Sequence, residues 1–162
     1  MNPQHQSNTD PATNHITEAA YISINATKET VMKILRNAEQ PSGVGPAKTF
    51  TGDVRVDQYF EAEAPGRTGS AIVTFSARAR TAWHSHPAGQ LLYILSGRGW
   101  VQKAGEPKQE VLAGDTVWFG PNERHWHGAS DTKAMSHVAI AESLDGRSTD
   151  WAEHVSDEDY LG

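Results

Sequence analysis

TAWHSHPAGQLLYILSGRG, residues 81–99, sets two histidines one residue apart ahead of an apolar, strand-like run, with a glutamine four residues after the second. Histidine is an uncommon choice for plain core packing, and a buried amide needs partners. Either these side chains face solvent at the mouth of something, or they converge on a shared guest. In a strand, residues two apart point to the same face, so His84 and His86 project together. The kink at Pro87-Ala88-Gly89 brings Gln90 back to the same side. Downstream, RHWHGA (residues 124–129) repeats the arrangement, with His125 and His127 on one face. His137 lies in SHVAIA (residues 136–141), in register with Ala139 and Ala141. Five of the eight histidines therefore fall at matched strand positions, and the other three, His5, His15 and His154, lie near the two ends.

Around these segments the pattern is one of short strands between turn signals, which predicts an all-β sandwich or barrel. The expected strands are Val54–Phe60, Ser70–Phe75, Ala82–Ser85, Gln90–Ser96, Gly99–Lys103, Gln109–Leu112, Thr116–Phe119, Arg124–Ala129 and Ala134–Ala141. Turns are marked at Pro65-Gly66, Ser96-Gly97, Gly105-Glu106-Pro107, Gly114-Asp115 and Gly120-Pro121-Asn122. The stretch Thr30–Leu35 fits either helix or strand and is read as a strand. QPSGVGP, residues 40–46, reads as a turn-rich link. In the acidic tail, Ser156 followed three residues later by Asp159 resembles a helix start, so a short C-terminal helix is expected. Residues 1–26 are polar and read as a disordered or loosely attached arm, which leaves 27–162 as a single domain.

A chain of 162 residues is long enough for a real core without disulfide staples. It has no cysteine, which excludes a disulfide framework, a thiolate metal site and a cysteine nucleophile. The formal charge of −6 argues against a nucleic-acid partner. No apolar run approaches the ~18 residues of a membrane span. The start, MNPQHQSNTDPATNH, has neither a basic cap nor an apolar stretch, so the expected location is the cytoplasm.

One His-x-His pair on a sheet face is unremarkable. Two pairs and a same-face glutamine in one small β domain point instead to a shared metal, because imidazole is the usual ligand for divalent transition ions. The spacing is similar to the two motifs of the cupin superfamily, small jelly-roll-like barrels built as a double-stranded β-helix. The first motif, G-x5-H-x-H-x3-E-x6-G, is met by His84, His86 and Gly97, with Gln90 where the family usually has glutamate and Arg78 at the leading glycine. The second, G-x5-P-x-G-x2-H-x3-N, is met by Gly114 and His125, with Gly120, Asn122 and Ala129 at the other positions. Asparagine tolerates the left-handed conformation that the replaced turn glycine would take.

The resemblance, covering about residues 47–142, implies a metal held by His84, His86, Gln90 and His125. Four neutral ligands leave a divalent ion with about two net charges, where a glutamate would leave about one. Such a site is a stronger Lewis acid. From about residue 41 onward, TAWHSHPAGQ, GDTVWFGPNERHWHGAS, TKAMSHVAIAE and LDGRSTDWAEHVSDEDY resemble the bacterial manganese-dependent cupin hydroxynitrile lyases. That family cleaves cyanohydrins reversibly to an aldehyde or ketone and hydrogen cyanide. By position, His127 is the expected base and His137 an expected partner of substrate or water, with a satisfied interior histidine as the alternative. Mn2+ is the expected cofactor, with Fe2+ as alternative and Zn2+ or Ni2+ as ions acquired on purification.

Phe50, Ala71, Val73, Leu92 and Ala141 are the expected pocket residues, and Phe75 and Ile94 are read with them as apolar interior positions. Ala71, Val73 and Ala141 are small and by family position face inward, leaving room for a substrate ring. Trp83, Trp100, Trp118 and Trp126 alternate against the histidine face and are read as sheet or subunit contacts. A small-molecule substrate and a homo-oligomer, dimer or tetramer, are expected. The rival readings are a metal-dependent dioxygenase and a non-enzymatic binding cupin.

Overall fold

Alternating apolar and polar residues, punctuated by glycine and proline, give the chain a nearly pure antiparallel β architecture; a computed structural model describes residues 32–162. Within them, Leu35–Gly162 forms one compact unit. The strands are β1 (Ser42–Val44), β2 (Phe50–Thr51), β3 (Val54–Glu61), β4 (Thr68–Phe75), β5 (Arg80–Ser85), β6 (Gln90–Lys103), β7 (Gln109–Leu112), β8 (Thr116–Phe119), β9 (His125–Ala129), β10 (Met135–Glu142) and β11 (Asp150–His154). Among the described residues, one helix, α1 (Asp157–Leu161), follows β11, and one 3-10 turn covers Asn37–Glu39. The strands curl in the order β1-β3-β4-β10-β6-β9-β5-β11, with β2 on β5 and with β7 and β8 on β6. This is the expected all-β cupin architecture.

Most expected strands appear within a residue or two of their expected bounds, and four differences have physical reasons. The expected break at Ser96-Gly97 is a corner rather than a turn. β6 runs through it, pairing with β8 and β10 before Gly97 and with β7 and β9 after it. A strand that switches sheets makes such corners. Gly97 has φ +79°, and a Cβ there would sit 1.9 Å from the Ala134 carbonyl oxygen, so no side chain fits. Within the QPSGVGP link, Ser42–Val44 forms the edge strand β1, paired with Val56 and its neighbours. The tail contributes β11, which the acidic composition concealed. Met32–Leu35 form neither strand nor helix; Thr30 and Val31, like the polar arm 1–26, lie outside the described residues.

Two apolar clusters hold the fold. Inside the barrel, Phe75, Leu92, Ile94, Val101, Phe119 and Met135 pack with their neighbours. On the other face of β5 and β9, Trp83 and Trp126 pack with Val155 and Tyr160 of the tail, with Trp100 against them. The tail is thus the cover of an otherwise exposed aromatic face. Arg80, buried beneath it, donates to the Val155 carbonyl at 2.9 Å, pairs with Asp157 at 2.7 Å and lies over the Tyr160 ring. The Tyr160 hydroxyl donates to the Ala129 carbonyl at 2.9 Å. Ser156 caps α1 by accepting from the Asp159 amide, as the sequence suggested.

Candidate metal centre and active site

The sheet register gathers the histidines. His84 on β5 is the direct partner of His125 on β9, and the next same-face residues, His86 and His127, flank them. Gln90 opens β6, where it pairs with Phe119 on one side and Ala141 on the other. His137 on β10 pairs with Ile94 and Val73. All six side chains are buried. The turn between His86 and Gln90 closes on the His86 carbonyl, which accepts from Gly89 and Asn122 amides. Asn122 takes φ 60°, the left-handed conformation expected where the motif has glycine.

The rings come close. His84 lies 4.3 Å from His125, 5.2 Å from His86 and 5.2 Å from His127 between centroids. His84, His125 and His127 each offer a ring nitrogen within 4.8 Å of the others, the spacing of a metal-ligating group. His86 stands outside that trio, 5.6 Å from His125. Phe119 stacks on His125 at 3.6 Å and 5°, which fixes the plane of that ring.

Hydrogen bonds distinguish the histidines further. Nδ1 of His84 donates to the Ala82 carbonyl at 2.9 Å, that of His86 to Ser148 at 2.6 Å, and that of His125 to Glu123 at 2.7 Å. A proton held on Nδ1 leaves Nε2 as a lone pair, the arrangement found behind metal-bound imidazoles. Gln90 Oε1 lies 3.1 Å from His125 Nε2, and its amide also faces His84 and His86. A cation between them would reconcile two acceptors at that separation, as would the Gln90 amide turning its NH2 toward the ring. The His86 Nε2 is buried with no partner, which a cation would supply. His127 differs: its Nδ1 lies 3.1 Å from His137 Nε2, and its own Nε2 is buried and unpartnered.

Burial disfavours the charged form of every one of these rings. It pushes His125 and His137 down to about 4. His84 and His127 fall well below the ordinary value, burial first and neighbouring imidazoles second. His86 is lowered too, again chiefly by burial. The cluster is therefore neutral at pH 7, as metal ligands and a general base both require.

The cluster forms one end of a cavity of about 400 Å³, a size suited to a small organic ligand. Of the expected pocket residues, Phe50, Ala71, Val73 and Ala141 line it, as do His84, His86, Gln90, His127 and His137. Leu92 does not; it is fully buried in the core, one register position from the cavity wall. His125 sits behind the wall, under Phe119. Sequence reasoning missed Trp151, Ser148 and Thr149, which line the cavity from the tail. Asp150–His154 carries one large apolar residue and no alternation, so no local pattern signalled a strand there. Of the tryptophans, Trp83, Trp100 and Trp126 serve the cover under the tail, while Trp118 is exposed.

The family model for the Cupin domain matches residues 71–141, the span that carries all six clustered side chains. A cupin-like protein of known structure from Thermotoga maritima is 34% identical, with a TM-score of 0.68 over 72% of this chain and 89% of that one. A predicted oxalate decarboxylase from the same organism shares the fold at 19% identity and a TM-score of 0.60, covering 69% of this chain and 100% of that one. The (R)-mandelonitrile lyase of Granulicella tundricola is 54% identical over 129 residues, 80% of this chain and 98% of that one. The barrel, its motif histidines and this similarity together make the chain a member of the cupin superfamily, in the family of the Granulicella (R)-mandelonitrile lyase.

Proposed function

We propose that the protein is a metal-dependent hydroxynitrile lyase that cleaves cyanohydrins reversibly to an aldehyde or ketone and hydrogen cyanide. The observation that carries this reading is His127, whose buried, unpartnered Nε2 lies on a cavity wall beside three imidazoles anchored through Nδ1. The name of the 54% identical relative supports the same chemistry. His84, His86, Gln90 and His125 would hold the ion, because these three histidines have their Nδ1 protons committed to backbone carbonyls. A neutral set of three nitrogens and one amide oxygen suits Mn2+, with Fe2+ as the alternative. Bound there, a divalent ion supplies uncompensated positive charge that polarises substrate oxygen and stabilises the departing cyanide.

The chain's own residues do the rest. His127, donating from Nδ1 to His137 Nε2, presents the Nε2 lone pair to the cyanohydrin hydroxyl and takes its proton. As the carbonyl forms, the C–C bond to the nitrile breaks and its electron pair leaves with cyanide. His127 then returns the proton, giving hydrogen cyanide and restoring the neutral ring. His137 keeps the imidazole in that tautomer, and Phe75, 6.0 Å from His127 and 5.5 Å from His137, packs both rings. The apolar lining from Ala71, Val73, Ala139 and Ala141 keeps water from competing.

Self-association belongs to the same proposal. On the outer face of the sheet, Ile140, Leu91 and Trp118 stand side by side across three strands. Trp118 is 59% exposed, beside a groove that it lines with Gly89, Leu91 and Ile140. The Trp118 indole lies over Gly89, so this face is a broad apolar surface across three strands, the kind that a two-fold interface between copies buries. Trp118→Ser should shift the protein toward monomer by light scattering; an unchanged mass removes this face from the assembly.

The functional reading is tested by assaying cyanide release from mandelonitrile while oxygen is monitored. Release without oxygen uptake is expected from the metal-loaded protein and should fall on chelation. Oxygen consumption instead points to a dioxygenase, and ligand binding without turnover to a binding protein.

A further inference from the structure

The tail does more than cover the barrel. Its strand β11 pairs with β5 so that Trp151 is the register partner of His84. The indole lies 4.6 Å from the His84 ring at 35° and 6.0 Å from the Phe50 ring. It lines the cavity, yet 42% of the residue remains exposed. The facing wall comes from β4 and β10, whose paired positions Ala139–Ala71 and Ala141–Gly69 carry only small groups. One side of the cavity is thus aromatic and half open, and the other carries only small groups at these two pairs, with the bulkier Val73–His137 pair next along the same face. A flat ring fits between such walls, in offset or edge contact with an indole.

From this geometry we infer that Trp151, with Phe50 beside it, recognises the aryl ring of the substrate and sets a preference for aryl over alkyl cyanohydrins. The inference rests on the lyase reading for the identity of the reacting group, but the ring site itself does not. Trp151 is held from both ends without its own side chain. Ser148 upstream accepts from His86, and Val155 and Tyr160 downstream are fastened to Arg80 and Ala129. Replacing the indole therefore changes the wall while leaving the strap in place.

The test compares wild type, Trp151→Leu and Trp151→Phe, each with its metal content measured. Kinetics are taken on mandelonitrile and on acetone cyanohydrin, and benzaldehyde binding is followed by NMR titration. The leucine variant should raise KM for mandelonitrile about tenfold and weaken benzaldehyde binding similarly. Its KM for acetone cyanohydrin should change less than threefold, with metal content unchanged, and phenylalanine should restore most of the loss. Equal effects on both substrates, or a loss of metal that accounts for the change, would make Trp151 a support for His84 and overturn ring recognition. If wild type cleaves neither cyanohydrin, the lyase reading fails, yet the benzaldehyde titration still decides. Weaker binding in the leucine variant sustains the ring site, and equal binding removes it.

Discussion

Acidifying the metal-free protein should destabilise it well before its carboxylates are protonated. Imidazoles buried neutral in the native state bind protons freely once the chain unfolds. His125 and His137 are both pushed from 6.5 to about 4 by burial. The sign follows from proton binding. Above pH 7 neither state carries these protons, so stability is at its plateau. Between pH 6.5 and 4 the unfolded state binds them and the native state does not, so stability falls as pH falls. At pH 5 each of the two residues costs about 2 kcal/mol relative to pH 8. His84 and His127 are depressed further and shift the balance the same way. A combined loss of about 4 kcal/mol is a large share of the 5–15 kcal/mol typical of a domain. It should lower the melting temperature by roughly 10 °C or more. The assay is thermal unfolding by circular dichroism after chelation, in buffers from pH 8 to pH 5. A melting temperature flat across that window would refute the neutral, water-excluded histidine cluster on which the site depends. Adding Mn2+ at pH 8 should raise the melting temperature, because the ion binds only the folded arrangement.

Other perturbations report on separate parts of the account. Gln90→Glu should keep one metal ion per chain but lower cyanide release, because the added carboxylate cancels one of the two charges; equal or higher activity contradicts the charge argument. Tyr160→Phe should cost about 1–2 kcal/mol by leaving the buried Ala129 carbonyl without its donor; chemical denaturation with an unchanged slope measures it. Gly97→Ala should destabilise the fold by more than 2 kcal/mol, since the corner of β6 has no room for a Cβ against Ala134, and an unchanged denaturation midpoint would show that the corner relaxes.

How much of this was legible in the sequence depended on whether a signal was local. The histidine positions were legible because a strand repeats every two residues. His84 with His86 and His125 with His127 needed only that period to share a face, and the motif spacing supplied the rest. The stops at Gly114-Asp115 and Gly120-Pro121 marked β8 for the same reason. Gly97 misled because a positive-φ glycine looks alike in a turn and in a strand corner; only the change of partners along β6 separates the two. β11 left no trace because its position is fixed by long-range contacts: Trp151 beside His84, Arg80 beneath Val155 and Asp157, Tyr160 on Ala129. Leu92 shares its face with Gln90 and Ile94, and that periodicity cannot tell a residue lining the cavity from one packed beneath it.

In the proposed site, His84, His86, Gln90 and His125 hold a cation while His127 stands beside it as a base. Metal stoichiometry of the His86→Ala and His127→Ala proteins, measured by elemental analysis after loading with Mn2+, tests it most directly. His127→Ala should retain about one ion per chain and His86→Ala should lose it. Retention by His86→Ala with loss by His127→Ala would make the close trio His84, His125 and His127 the true ligand set and leave the proposed base without its role.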